Sequence, residues 1–279
     1  MFSLKKISAL LEMSRPHGMI TPLCACYAGL YLAGQGFPAF FDMLGAFAII
    51  ILVWFGGVIL NDYYDYRVDS ITDRYRPIPS GRITQTEALY AAIILLVLGF
   101  MPSLVFSINL MLVTVALIIL AILYNSRFKK MGLIGSFSFG LIEGLSFAVG
   151  IFTIGGFDQL TLLVVISIIL LHTSVNITGA IKDIEGDIKT GNMTVPVKYG
   201  INGAVKLIVL FLLSSIIVAL LPGFLNLLNL RYLPLLLITA IWLLISVVIV
   251  KKDTKLGFMS FGLYYMGASI YYLNFITGI

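Results

Sequence analysis

The chain alternates long apolar runs with short polar segments. Nine apolar stretches stand out, at about 19–35, 43–60, 86–106, 108–124, 134–154, 160–181, 204–222, 232–250 and 257–277. Each approaches the roughly 20 residues that an α-helix needs to cross a bilayer. The break between the third and fourth is slight. Pro102, Ser103, Ser107 and Asn109 predict a tight turn there, because one run of nearly forty apolar residues exceeds what a bilayer requires. The pattern therefore predicts an all-α integral membrane protein of about nine transmembrane helices, organised as a single domain over residues 1–279. No low-complexity tract or long linker interrupts it.

Composition agrees with that reading. Apolar residues make up 60% of the chain and charged residues 11%, and the mean hydropathy is +1.05, far from the soluble average. Residues 1–18 (MFSLKKISALLEMSRPHG) form a short amphipathic stretch without the apolar core and cleavage site of a signal peptide. They predict an interfacial helix leading into the first span. Cys24 and Cys26, two apart on a helix, point in different directions, so no disulfide is expected.

Charge placement tests the division into spans. With the N-terminus in the cytoplasm, alternate loops collect Lys5, Lys6 and Arg15, then Arg67, Arg74, Arg76 and Arg82, then Arg127, Lys129 and Lys130. Lys182, Lys189, Lys198 and Lys206 follow, and finally Lys251, Lys252 and Lys255. That places 17 of the 18 Lys and Arg on the cytoplasmic side, leaving Arg231 outside. A shifted or even span count would scatter them.

The chemistry concentrates in the segment after the second apolar run, NDYYDYRVDSITDRYRPIPSGR at 61–82. If the helix continues past Asn61, then Asp62, Asp65 and Asp69 fall at i, i+3 and i+7 on one face. Like charges so placed repel unless a cation lies between them, and an oxygen-only donor set suits Mg²⁺. Arg67, Arg74, Arg76 and Arg82 follow at once, offering forks for phosphate oxygens. Carboxylates, Mg²⁺ and arginines together read as a diphosphate site. At the end of a membrane helix, its ligand needs a polar head and an apolar tail.

A second cluster follows the sixth span, in NITGAIKDIEGDIKTGNMTVPVKYG. Asp183 and Asp187 are spaced i, i+4, with Lys182 and Glu185 beside them, and Asn176 lies two helical turns before Asp183. It lies on the same predicted side of the membrane as the first. Two facing clusters could hold two Mg²⁺ ions on one diphosphate.

These segments resemble the signatures of the UbiA superfamily of intramembrane prenyltransferases. NDYYDYRVD with RPIPSGR is similar to the first signature, KDIEGD with TVPVKYG to the second, and YNSRFK (124–129) to the tyrosine–lysine motif after the fourth span. The resemblance covers the whole chain. It implies a helical bundle around a central cavity, capped by the motif loops on the cytoplasmic side. It also implies that Asn61, Asp65 and Asp69, with Asp62 beside them, form the first Mg²⁺ site, and Asp183 and Asp187 the second. Arg76, Tyr124 and Lys129 match positions of diphosphate binding and leaving-group activation, and Arg67, Arg74 and Lys182 are grouped with them. The chain has Gly135-Ser136 where many members have Gly-Asn, on the cavity wall, and DRYRP where the 4-hydroxybenzoate enzymes have Thr-Lys-x-Arg-Pro.

Glu143 and His172 fall inside spans, where an ionisable group costs about 2.5–3.5 kcal/mol on insertion scales and so faces a cavity or a partner. With Ser136 and Asn176 they are the candidates for an acceptor pocket. Tyr63, Tyr64 and Tyr66 are candidates for shielding a carbocation. The expected activity is Mg²⁺-dependent prenyl transfer from a prenyl diphosphate, such as geranylgeranyl diphosphate, to a lipophilic acceptor in the bilayer. The acceptor is left open between a quinone precursor, a geranylgeranylglyceryl phosphate-type lipid and a chlorophyllide-like ring. No redox cofactor and no nucleic-acid partner are expected, since neither Rossmann nor Walker patterns occur. The rivals are a secondary transporter, which would carry its acids near the midplane in two matching repeats, and a non-catalytic prenyl-lipid binding protein.

Overall fold

The structure, a computed structural model, describes residues 4–252 and 257–278, and all of their side chains except those at 4, 71–72, 250–252 and 257–261. Lys255 lies outside the described residues, as do the side chains of Lys251 and Lys252. An amphipathic α1 (Leu4–Met13) is followed by a 3-10 turn at Pro16–Met19 and by α2 (Ile20–Gly34). Then come α3 (Phe40–Thr72), α4 (Gln85–Phe100), α5 (Ile108–Ser126), α6 (Leu133–Ile154) and α7 (Gln159–Lys182). A short α8 (Ile184–Thr190) precedes α9 (Val195–Phe224), α10 (Leu233–Lys252) and α11 (Gly257–Ile276). Each of the nine apolar stretches is thus a helix, and among the described residues seven are long and apolar enough to cross a membrane. α2, at 15 residues, is shorter than that measure.

Local chemistry fixes the helix starts. Thr84 and Glu87 close a reciprocal capping box on α4, Asp158 and Thr161 another on α7, and Ser107 caps α5. Each pairs orphan N–H groups at a helix start. The expected turn between α4 and α5 is present as a 3-10 segment, Met101–Val105. α9 bends at Gly200, whose φ of 68° is open to glycine without strain.

Contacts between elements define two faces. On one, Arg82 pairs with Glu12, Lys6 with Glu87, and Met193 N donates to the Lys130 carbonyl at 3.2 Å. On the other, Ser107 Oγ donates to the Phe152 carbonyl at 3.1 Å and Asn229 N to that of Gly278 at 2.9 Å. All the motif segments share the first face. α1 lies along it, burying Ala9 and Met13 against Ile59, Ile83 and Ala92, while Ile7 and Leu11 point outward. That is the disposition of an interfacial helix.

α6 occupies the middle of the bundle, packed against α2, α5 and α7. Glycines allow the closest approaches. A Cβ at Gly150 would collide with the Cys26 carbonyl of α2, and one at Gly29 with the Phe147 carbonyl of α6. On the other flank a Cβ at Gly140 would strike the Ile169 carbonyl of α7. Between membrane helices, where no hydrophobic driving force exists, such backbone proximity supplies the packing.

Candidate functional site: a charged mouth over an apolar cavity

α3 runs unbroken to Thr72, 33 residues or about 50 Å, which exceeds the roughly 30 Å hydrocarbon core. Its last turns carry Asn61, Asp62, Asp65 and Asp69 beyond the apolar run, on one face as the spacing requires. Asp62 and Asp69 are buried, 4% and 5% exposed.

Every carboxylate of this cluster faces a basic side chain. Arg76 Nη1 donates to Asp69 Oδ2 at 2.8 Å and to Asp62 Oδ1 at 3.3 Å. Arg15 also pairs with Asp62, and Lys129 Nζ donates to Asp65 Oδ1 at 2.5 Å. Burial alone would lower the Arg76 guanidinium pKa; Asp69 and Asp62 outweigh it and raise it. For Lys129 burial dominates, and its ammonium is pushed below the ordinary lysine value although Asp65 opposes the shift. The Asn61 amide lies 2.9 Å from Asn125 and 3.2 Å from both Asp65 Oδ2 and Lys129 Nζ. Asn125 is itself buried and donates to the Gly57 and Ala121 carbonyls.

The second cluster sits across the mouth. Asp183 closes α7 and opens α8, with Lys182 Nζ 3.9 Å away. Asp187 accepts from Asn192 Nδ2 at 3.1 Å and from Thr194 Oγ1 at 2.9 Å. Arg76 is within electrostatic range of Asp183, and Tyr124 within range of both Asp65 and Asp187. The Tyr124 hydroxyl accepts from Asn176 Nδ2 at 3.0 Å, joining α5 to α7.

Beneath the mouth lies a cavity of about 500 Å³. Arg15, Asn61, Tyr124 and Lys182 form its rim, and Ile50, Val53, Trp54, Leu117 and Phe139 form much of its wall. Glu143 is among the lining residues. Ser136 and His172 are not. The Ser136 hydroxyl turns back on the Gly132 carbonyl of its own helix, and His172 is buried against Tyr272, Nε2 to hydroxyl 2.6 Å. Tyr64 and Tyr66 point outward, and neither they nor Tyr63 line the cavity; its aromatic residues are Trp54, Tyr124, Phe139 and Tyr265.

Two of the expected arginines also lie elsewhere. Arg67 is exposed, because two residues beyond Asp65 the helix has turned about 200°. Arg74 is exposed and donates to the Ser70 carbonyl. Arg15 and Asn125, which the motifs do not mark, take prominent places instead. Arg15 had a signal of its own: Pro16 disfavours a helical residue before it, and Arg15 adopts the left-handed φ of 43°, uncommon outside glycine.

The donor set fits Mg²⁺. All the acidic donors are hard oxygens, and among the described residues no three acidic, His or Cys side chains close into a protein-only cage. Mg²⁺ is commonly held by one or two carboxylates plus substrate phosphates, a part these carboxylates can fill when their basic partners turn to the phosphates.

Comparison with known proteins agrees with this arrangement. Residues 23–266 match the model of the UbiA prenyltransferase family. A digeranylgeranylglyceryl phosphate synthase of Methanosarcina mazei is 38% identical over 202 residues, 71% of this chain and 68% of that one. Its counterpart from Methanosphaera stadtmanae is 30% identical over 271 residues, 96% and 98% of the two chains. A solved structure described as digeranylgeranylglyceryl phosphate synthase in membranes superposes with a TM-score of 0.79 at 26% identity, covering 99% of each chain. A UbiA homolog from Archaeoglobus fulgidus bound to DMAPP and Mg²⁺ shares the fold, with a TM-score of 0.73 at 19% identity over 94% and 98% of the chains.

Proposed function

The chain belongs to the UbiA prenyltransferase family, and from that membership we propose that it joins a geranylgeranyl group to a glyceryl phosphate lipid, giving a digeranylgeranylglyceryl phosphate. It is an integral membrane enzyme that transfers a prenyl group from a prenyl diphosphate to a lipophilic acceptor with Mg²⁺. The relatives that bear the name digeranylgeranylglyceryl phosphate synthase support this acceptor over a quinone precursor. The DRYRP spelling of the first motif weighs against a 4-hydroxybenzoate acceptor without naming another.

The observation that carries the reading is the pair of acidic clusters across the mouth of an apolar cavity. Mg²⁺, when bound, neutralises the diphosphate and stabilises the charge that grows on it as it leaves. Asn61, Asp62, Asp65 and Asp69 hold one ion and Asp183 and Asp187 a second. Arg76, Arg15 and Lys129 turn from these carboxylates to the diphosphate oxygens, with Lys182 at the rim. Tyr124, fixed by Asn176, presents its hydroxyl to the leaving group. The apolar wall holds the prenyl tail and keeps water from the allylic cation, and Trp54 and Phe139 in that wall supply aromatic rings that stabilise it. The whole chain, 1–279, works as one unit, with its N-terminus and motif loops in the cytoplasm on the strength of the 17-to-1 charge split.

The test is incubation of the purified protein with labelled geranylgeranyl diphosphate, Mg²⁺, and geranylgeranylglyceryl phosphate or aromatic acceptors, with products identified by mass. The lipid ether is expected. Asp65→Ala and Asp183→Ala should each lower turnover by orders of magnitude while the protein stays folded. Full activity in EDTA or in Asp183→Ala removes the two-ion reading, and prenylation of an aromatic acceptor alone removes the lipid.

A further inference from the structure

One buried group has no role in the diphosphate chemistry just described. Glu143 is 1% exposed and lines the cavity, and among the described residues no donor stands at ordinary hydrogen-bond geometry to either carboxylate oxygen. Cys24 and Tyr265 lie within electrostatic range of it, and the Tyr272 hydroxyl is near enough for a long, weak hydrogen bond beyond ordinary geometry. The Tyr272 hydroxyl is engaged with His172 Nε2 at 2.6 Å, and the Tyr265 hydroxyl donates to the Gly18 carbonyl at 2.8 Å. Glu143 sits one turn, about 6 Å, along α6 from Phe139. The Phe139 ring is 5.9 Å from that of Tyr124 at the rim, so Glu143 stands one helical turn deeper along α6 than that rim contact.

A buried carboxyl whose oxygens lack donors is costly, and native structures rarely leave one so. The donor can come from what fills the cavity. A prenyl tail has no N–H or O–H, and an ionised diphosphate only accepts. The acceptor remains. An acceptor that attacks through carbon loses its proton from carbon, so the proton of any ring hydroxyl it donates is not the one that must leave. An acceptor that attacks through a hydroxyl arrives with a donor in place.

We infer that Glu143 binds the hydroxyl of the acceptor and takes its proton as the ether bond forms. The inference rests on the prenyl-transfer reading above. In this step the allylic C1–O bond breaks and both electrons leave with the diphosphate. A lone pair of the acceptor oxygen forms the new C1–O bond, and the hydroxyl proton passes to the Glu143 carboxylate, leaving the neutral acid. Glu143 thereby serves as the base for a hydroxyl nucleophile, while Tyr124 and Lys129 serve the leaving group.

Glu143→Gln keeps the shape but cannot take the proton, and Glu143→Asp keeps a carboxyl drawn back by one methylene. Two measurements test the role. In turnover with geranylgeranylglyceryl phosphate, Glu143→Gln should lower kcat by about 100-fold or more, in line with general-base contributions. The Kd for an unreactive thiolodiphosphate analogue of the donor should stay within about threefold, and Glu143→Asp should recover part of the rate. The second measurement needs no turnover: binding of the lipid acceptor against its deoxy analogue, in which hydrogen replaces the hydroxyl. Wild type should prefer the hydroxyl form by about tenfold or more, as for a charged hydrogen bond, and Glu143→Gln should lose most of that preference. A Glu143→Gln rate within about threefold of wild type, or an unchanged hydroxyl preference, overturns the inference. If wild type makes no product from the lipid yet prefers its hydroxyl form and loses that preference in Glu143→Gln, the acceptor assignment above fails and the role of Glu143 stands; no product and no hydroxyl preference overturns both.

Discussion

Arg76 stands where a cation is required whether or not metal is present, and its removal should expose that requirement. Its guanidinium spans Asp69 at 2.8 Å and Asp62 at 3.3 Å, both carboxylates being about 5% exposed or less. Breaking a buried pair by deleting one partner typically costs 3–5 kcal/mol. Arg76 itself is 33% exposed and Asp62 keeps Arg15, so about 2–3 kcal/mol is expected for Arg76→Gln. At about 2–4 °C per kcal/mol for a chain of this size, Tm in EDTA should fall by about 4–12 °C. Mg²⁺ supplies the missing positive charge, and a ligand that binds only the folded state stabilises it by mass action. Excess Mg²⁺ should therefore close at least about half of the gap, and should stabilise the variant more than wild type, in which Arg76 competes for the same carboxylates. Thermal unfolding in detergent, with and without Mg²⁺, reads both effects. Asp69→Asn introduced into Arg76→Gln should recover stability in EDTA, because it deletes the stranded charge. An equal loss with and without Mg²⁺ would refute the reasoning and make Arg76 a packing residue.

Two further outcomes are expected. In a cysteine-free background, cysteines at Ser80 and Lys189 should be labelled from the cytoplasm and one at Gln159 from outside; all three positions are exposed, and opposite accessibility at Ser80 and Lys189 would break the shared mouth. Glu12 is held below its ordinary value of 4.5 chiefly by its hydrogen bond to Arg82, so this contact stabilises above that value and is lost as pH falls through the lower folded one. Both side chains are well exposed, so the effect is a few tenths of a kcal/mol: Arg82→Met should speed hydrogen exchange in α1 at pH 7, and a difference that persists at pH 2 would point to packing instead.

Helix content and the two acidic clusters were legible in the sequence because each depends on spacing within one segment. Asp62, Asp65 and Asp69 share a face in any continuous helix, and Asp183 and Asp187 need only four residues of local order. Pairings across the bundle were not legible in the same way. Arg15 meets Asp62 through the turn at Pro16, 47 residues away, and Asn125 meets Asn61 from another helix. The arginines after Asp69 show the complementary limit. Arg67 is turned away by helical phase, whereas Arg76 folds back only because the loop after α3 returns it. Burial cost marked Glu143 and His172 alike, yet only the rotation of α6 and α7 in the bundle separates a cavity wall from an interior contact.

The glycine contacts of α6 bear on how the substrate range could be redesigned. With Gly150 against Cys26 on one flank and Gly140 against Ile169 on the other, α6 behaves as the fixed jaw of a vice. It cannot retreat to admit a wider ring or a branched headgroup without parting two helix contacts at once. Room must come from the opposite jaw, where Ile50 and Val53 on α3 and Leu117 on α5 can be trimmed side chain by side chain. A variant library built on those three positions would remodel the chamber, whereas one built on α6 would unseat the frame that holds it.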